Sequence, residues 1–289
     1  MVNWDDLRTV LALVRHRTLA GAGTALGLNY TTVARRISRA EEALGTVLFD
    51  RLADGYVPTE AALAVARNAE RMELAEFDLT REVAARDETL AGQLVITAPQ
   101  LLIGPYLAPI MAQFSQAHPE VELVVRATNE LLDLTRREAD LAIRISRDPG
   151  DDLMGLRLAE QQTASFASPD LAAQIAEAPQ MQIPWVSFVS MTTPPKVSLE
   201  AYPNAYIRMK FDDVVPVIGA AREGLGVARL PMFIGRREPG LVQVPLLPPQ
   251  PYADIWLVGH KDVWRAAKPR AFRDMLVPYF RARRGDFVA

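Results

Sequence analysis

The chain has 289 residues, 49% of them hydrophobic, with no cysteine and a formal net charge of -3. That is enough for two or three compact units with real cores, and it rules out disulfides and any thiol switch. A weakly negative chain is not a non-specific nucleic-acid coat, although a specific DNA reader remains open. A zinc site would need three histidines with carboxylates, and His16, His118 and His260 are scattered, so neither metal nor cofactor is expected. No apolar run approaches a membrane span, and the chain starts on a helical pattern without a signal sequence. A cytoplasmic protein without a membrane partner is therefore expected.

In chain order, Leu7, Val10, Leu11 and Val14 form a helical stripe, Thr18 caps a short helix over 19–26, and Gly27 makes a turn. Asn29 then caps a helix of about four turns that runs to Leu44 and stops at Gly45. On a 3.6-residue wheel Val33, Ile37, Ala40 and Leu44 share one face, with Thr31, Thr32, Arg35, Arg39 and Glu42 on the other. Arginine bonds guanine edges or phosphates, and threonine meets bases or thymine methyls, so the polar face suits a DNA groove. A solvated amphipathic helix fits the same wheel, and the flanks decide between them. Helix, short helix, turn and longer helix make a helix-turn-helix, and 47–49 with 56–58 around Ala53-Asp54-Gly55 read as a hairpin wing. The DNA contacts expected are Asn29, Tyr30, Thr31, Thr32, Arg35, Arg36, Arg39 and Arg51, with base reading by Tyr30, Thr31 and Arg35. Seven arginines face six acids in the first 58 residues, so positive charge is local and binding rests on placement.

Leu26-Gly27, Asn29, Glu41-Glu42, Leu44-Gly45, Leu48-Phe49, Arg51 and Thr59-Glu60 occur in the order and spacing of a known pattern. The segment from Trp4 to Thr59 resembles the winged helix-turn-helix of LysR-type transcriptional regulators. It departs from that family at Gly21 and Gly23 inside the second helix, at Ala40 and at Ala34. Each glycine inside a helix costs about 1 kcal/mol relative to alanine, so a less stable DNA-binding domain is expected.

From Glu60 to about Thr89 runs an alanine-rich helix, capped by Thr59. Val65, Ala69, Met72, Leu79 and Val83 repeat at spacings of four and three around one charged intruder, Glu76. The stripe reads as a dimer seam in which Glu76 sets register or meets Arg71 or Arg81 of a second copy; the resemblance implies the same pairing. Packing on its own domain is the alternative.

After Ala91-Gly92 the pattern alternates: strand 94–97, helix 106–117, strand 121–127, helix 131–137, strand 140–144. A second series follows: strand 162–167, helix 169–177, strands 185–189 and 206–211, helix 213–223 and strand 226–230, with strand 255–258 assigned to it. Such alternation predicts two α/β lobes with mostly parallel sheets. The closing helix 267–283 is expected to return to the first lobe. The expected architecture is α plus α/β: a winged helix-turn-helix over 1–58, a linker helix over 59–89, and a two-lobed effector domain, like periplasmic binding proteins, over 90–289. Lobe I takes about 90–160 and 265–289, lobe II about 161–264, with crossings near 158–164 and 259–266. The stretches 94–99, 140–144, 167–170 and 224–231 are similar to the effector-binding domain of the same family.

Strand carboxyl ends and helix amino ends face the crevice in such lobes. The loops nominate Thr97, Pro99, Gln100, Leu101, Thr128, Asn129 and Arg144 from lobe I, and Phe188, Asp212 and Gly226 from lobe II. Among Arg126, Arg144, Arg208, Lys210 and Arg229, Arg144 is preferred as an anion partner because its strand end faces the cleft. The resemblance implies a small metabolite, often a carboxylate, but Gln100-Leu101-Leu102-Ile103 stands where relatives tend to place a serine, which points to a partly apolar ligand or a weakened site; simple packing against the first helix explains the same residues.

An enzyme is not expected. Gly21-Ala-Gly-Thr-Ala-Leu-Gly27 has its third glycine one residue late for a dinucleotide loop and no strand before it, and no P-loop, nucleophile-elbow or zincin motif occurs. The resemblance implies a sequence-specific regulator that binds double-stranded promoter DNA as a dimer, and as a homotetramer of paired dimers. A small-molecule effector would act through promoter geometry, and RNA polymerase indirectly. The rival reading is a DNA-binding oligomer without an effector.

Overall fold

A computed structural model describes residues 2–289 apart from 53–54, 86–87, 130–133, 135–138, 151–152 and 179. It divides into two units, one ending at Ala84 and one beginning at Ala85.

In the first unit α1 (Trp4–His16) is capped by Asn3, α2 (Leu19–Leu26) by Thr18, and α3 (Tyr30–Leu44) by Asn29, whose Oδ1 accepts the Thr32 amide at 2.8 Å. Gly27 and Gly45 close α2 and α3 at positive φ. Val33, Ile37 and Ala40 enter a core with Val10, Leu13, Ala22, Leu48 and Phe49, whereas Leu44 stays outside it, 40% exposed. The wing is β1 (Phe49–Leu52) antiparallel to β2 (Gly55–Pro58); two residues of its predicted turn, 53 and 54, lie outside the described residues. Glu41 Oε1 accepts the Leu48 amide at 2.8 Å, tying the wing's entry to α3.

Gly23 is not the simple weakness that helix propensity suggests. A Cβ there would lie 2.6 Å from the Leu28 carbonyl oxygen, because Leu28 N bonds Gly23 O and folds the turn onto the helix.

The long helix α4 (Glu60–Ala85) begins on a Thr59 hydroxyl that accepts the Ala62 amide. Its first half belongs to the core of the first unit: Ala62 and Val65 pack in that core, and Ala66 and Ala69 meet Leu11 of α1.

The second unit holds two sheets. β3 (Gly92–Ala98) leads to α5 (Gln100–Leu102), a π-helical turn (Ile103–Leu107) and α6 (Ala108–Ala117); β4 (Val121–Ala127), β5 (Leu141–Ser146) and β6 (Leu153–Ala159) follow. The predicted helix over 131–137 lies outside the described residues except for Leu134. The second lobe holds β7 (Gln162–Ala167), α7 (Pro169–Glu177), β8 (Pro184–Phe188), α8 (Lys196–Ala201) and β9 (Tyr206–Phe211). It continues with α9 (Val214–Arg222), β10 (Val227–Pro231), α10 (Met232–Gly235), β11 (Val242–Val244) and β12 (Gln250–Pro251). β13 (Asp254–His260) and α11 (Ala267–Arg281) close the chain.

The first sheet runs β4-β3-β5-β13-β6 and the second β11-β7-β10-β8-β9, with β12 on β7. This corrects the sequence reading of 255–258. β13 pairs antiparallel with β5 and β6 in the first lobe, so the return crossing lies at 252–253 and not at 259–266. The reason is directional. β5 ends where β13 begins, Ser146 opposite Asp254, and a chain arriving from the other lobe enters the sheet at that end and must run against β5. α11 packs in the first lobe as expected, Phe272, Leu276 and Phe280 joining Tyr106 and Phe114.

Candidate functional site

On the first unit the face of α3 opposite the core is exposed. Tyr30, the first residue of the helix, is 63% exposed; Asn29, Thr31, Arg35 and Arg51 are also exposed, and Thr32 is half-buried. Thr31 donates its hydroxyl to Asn29 Oδ1 at 2.7 Å, which leaves the hydroxyl oxygen as an acceptor. Arg35 has no ion-pair partner among the described residues, and the Arg51 guanidinium sits 5.8 Å from the Tyr56 ring centre on the wing. Tyr56 N bonds the carbonyl of Arg17, which anchors the wing beside the start of α2.

Two arginines of the expected contact set, Arg36 and Arg39, are engaged by acids of the same chain. Arg36 pairs with Asp5 at 3.0 Å, and Arg39 grips both carboxylate oxygens of buried Asp6, its Nε at 2.9 Å. The hydrogen bond to Asp6 raises the Arg39 pKa above its ordinary value. Both arginines fasten the recognition helix to the amino end of α1, where the acids also suit the helix dipole.

The seam on α4 is likewise divided. Ala69 is fully covered by α1, and Glu76 Oε2 accepts the Trp4 indole N–H at 3.0 Å within the same chain, so neither is free to set register with a second copy. Met72 is 43% exposed, and Leu79 and Val83 are each 63% exposed.

In the second unit a cavity of about 430 Å³ opens between the two lobes, within the usual range of metabolite pockets, roughly 300–1,000 Å³. Thr97, Pro99, Leu101, Thr128, Asn129 and Arg144 line it from the first lobe, and Phe188 and Asp212 from the second, as expected from the strand ends. Gln100 is at its edge, exposed, with Nε2 at 3.5 Å from Asp213 Oδ1 across the lobes. Leu101 leans on the second lobe's core while Leu102 is buried in the first's, so the apolar stretch divides between wall and packing.

Gly226 does not line the cavity. Its missing side chain lets the chain press on β8, where a Cβ would lie 2.9 Å from Pro184 O, and it follows the carboxyl end of α9 while the amino end faces the cavity. Arg126, Arg208 and Lys210 do not line the cavity. Sequence reasoning missed Thr163, Ser187, Val214 and Phe233, and it set Arg229 aside. Thr163 is the second residue of the first strand of its lobe, at the amino end of that strand, where the rule that nominates carboxyl strand ends does not reach.

A winged helix-turn-helix in the same chain as a two-lobed α/β unit with an interlobe cavity defines a ligand-responsive DNA-binding protein. The family model described as the LysR substrate binding domain matches residues 87–281, and that of the bacterial regulatory helix-turn-helix protein, lysR family, matches residues 4–63. The chain belongs to the LysR family of transcriptional regulators. It is 26% identical over 280 residues to the Mau operon transcriptional activator of Paracoccus denitrificans, covering 95% of this chain and 93% of that protein. It is also 26% identical over 247 residues to the regulator PtxR of Pseudomonas aeruginosa, covering 82% and 79%. Among solved structures, the Vibrio cholerae virulence activator AphB shares the fold with a TM-score of 0.59 at 22% identity, over 96% of this chain and 99% of that one. CrgA of Neisseria meningitidis does so with a TM-score of 0.56 at 20% identity, over 97% and 99%. The protein is thus a DNA-binding regulator with an effector-binding domain and not an enzyme. No helix among the described residues is long and apolar enough to cross a membrane.

Proposed function

We propose that Asn29, Tyr30, Thr31, Thr32 and Arg35 read operator DNA while Arg51 on the wing holds its backbone, and that a small molecule in the interlobe cavity sets promoter geometry. The observation that carries this reading is the pairing, in one chain, of an exposed polar recognition face with a cavity whose walls are mostly apolar. Met72, Leu79 and Val83 join two copies, and effector domains pair the dimers into a tetramer. The effector contacts Thr97, Pro99, Leu101, Thr128, Asn129 and Arg144 on one lobe and Phe188 and Asp212 on the other. Its differential affinity for two arrangements of the subunits shifts the spacing of the DNA-binding domains and, indirectly, the recruitment of RNA polymerase.

Footprinting on an operator tests the effector half of this reading. A size-filtered metabolite fraction from cells should alter the footprint of the wild-type protein and leave that of Val214→Trp, whose indole fills the cavity, unchanged. Identical wild-type footprints with and without the fraction would favour a DNA-binding oligomer that ignores metabolites.

A further inference from the structure

The rim that the second lobe presents to the cavity is chemically uneven. Strand order across the sheet is β7, β10, β8, β9, so Thr163, Arg229, Ser187 and Asp212 follow one another along it. Neighbouring strands lie about 4.8 Å apart, and Asp212 stands one residue past β9 and two past Lys210, the partner of Ser187, so Arg229 and Asp212 are separated by more than two spacings, over about 10 Å. One end of the rim is cationic and the other is anionic.

At the cationic end, Arg229 Nε donates to Thr163 Oγ1 at 2.9 Å. The antiparallel register fixes this contact: Arg229 faces Ser165 and Pro231 faces Thr163, so arginine and threonine are diagonal neighbours on one face of the sheet. It is the only hydrogen bond made by this guanidinium among the described residues, and no carboxylate of theirs forms an ion pair with it. A half-buried guanidinium with its terminal nitrogens unengaged is unusual, because arginine taken from water is normally paired. Threonine holds Nε, so the side-on mode is taken and a carboxylate is left the end-on fork of the two terminal nitrogens.

At the anionic end the amino terminus of α9 would otherwise attract an anion, but Asp213 already fills it, its Oδ1 accepting the Val215 amide at 2.8 Å. Exposed Asp212 adjoins it and repels a second negative charge. Between the two ends the walls are Val186, Phe188, Val214 and Val217, with Leu101 and Leu102 opposite.

Resting on the effector reading above, we propose that Arg229, oriented by Thr163, anchors the effector's anionic group, and that the effector is a small monocarboxylic acid with an apolar body and no α-amino group. An α-ammonium would stand beside the guanidinium, with the nearest cavity carboxylates two strands away. A second carboxylate at the far end of the body would meet Asp212 and Asp213.

Calorimetric and thermal-shift titrations of the full-length protein with hexanoate, benzoate and phenylacetate test this, against hexanamide, benzamide and phenylalanine. At least one acid should bind tenfold or more tightly than its amide and than phenylalanine. Arg229→Gln should weaken that acid at least tenfold, Arg229→Lys should restore part of the loss, and Thr163→Val should weaken it severalfold, with the unliganded melting temperatures unchanged. Equal binding of acid and amide, or an acid affinity indifferent to Arg229→Gln, overturns the anchor; binding of none of the three acids overturns the ligand class. Val214→Trp separates the two levels of the argument. If it abolishes acid binding while Arg229→Gln does not, only the anchor is wrong; if acid binding survives it, the cavity is not the effector site.

Discussion

Arg35 and Arg39 stand one turn apart on the recognition helix, yet only Arg35 is uncommitted. Arg39 is held by buried Asp6, and Arg36 by Asp5, so the two acids at the start of α1 engage two of the three arginines of α3. Arg35→Ala should cost about 1 to 3 kcal/mol at the operator and flatten the preference at one base pair, as read by competition between operator variants. Arg39→Ala should instead lower the melting temperature of the DNA-binding unit and leave base preference intact. A loss of base preference in Arg39→Ala, with an unchanged melting temperature, would refute the division. Gly23 makes a second test. Alanine there gains about 1 kcal/mol of helix propensity but meets the Leu28 carbonyl, and overpacking of this kind typically costs about 1 to 3 kcal/mol. Gly23→Ala should therefore be no more stable than wild type in urea denaturation, and a clear gain in stability would show that the turn relaxes freely.

The elements show which kinds of information a sequence carries. Caps at Thr18, Asn29 and Thr59 were legible because one short side chain next to an apolar period suffices to start a helix, and each accepts the expected amide. The heptad stripe on α4 was legible as a stripe, but not its partner. A helix spaces apolar residues in the same way whether α1 or a second α4 covers them, so Ala69 against Leu11 and Glu76 on Trp4 had no signature. Arg15 strengthens the intrachain half by reaching Glu70 at 3.0 Å and Glu73 at 2.9 Å. Burial lowers its pKa, and the hydrogen bonds to Glu73 and Glu70 outweigh that effect. What remains for self-association is the exposed Met72, Leu79 and Val83. Met72→Asp should dissociate the dimer in sedimentation velocity at micromolar concentration, and an unaltered profile would remove α4 from the interface. β13 was misplaced for a related reason: it follows second-lobe elements with no helix between, and only the pairing of Asp254 with Ser146 reveals which sheet it joins.

At the scale of the whole molecule, the lobes and the loops that face their cleft followed from strand-helix alternation, because carboxyl strand ends converge wherever such lobes meet. Loop logic placed Thr97, Thr128 and Arg144 on the cavity wall but not Gly226, whose glycine serves a close backbone approach, and it could not see Thr163 hold Arg229 of the neighbouring strand. Charge follows the same rule. The chain is net negative and three arginines of the DNA-binding unit are paired internally, so specificity must come from a few placed groups more than from bulk attraction. The most direct test of that claim is selection of sequences from a random duplex pool by the purified protein, with the winner titrated at two salt concentrations. The expected result is a two-fold symmetric site whose affinity falls with salt by about 0.9 in log slope per phosphate contact, and whose enrichment is lost in Arg35→Ala. No enrichment, or the same enrichment with Arg35→Ala, would contradict it.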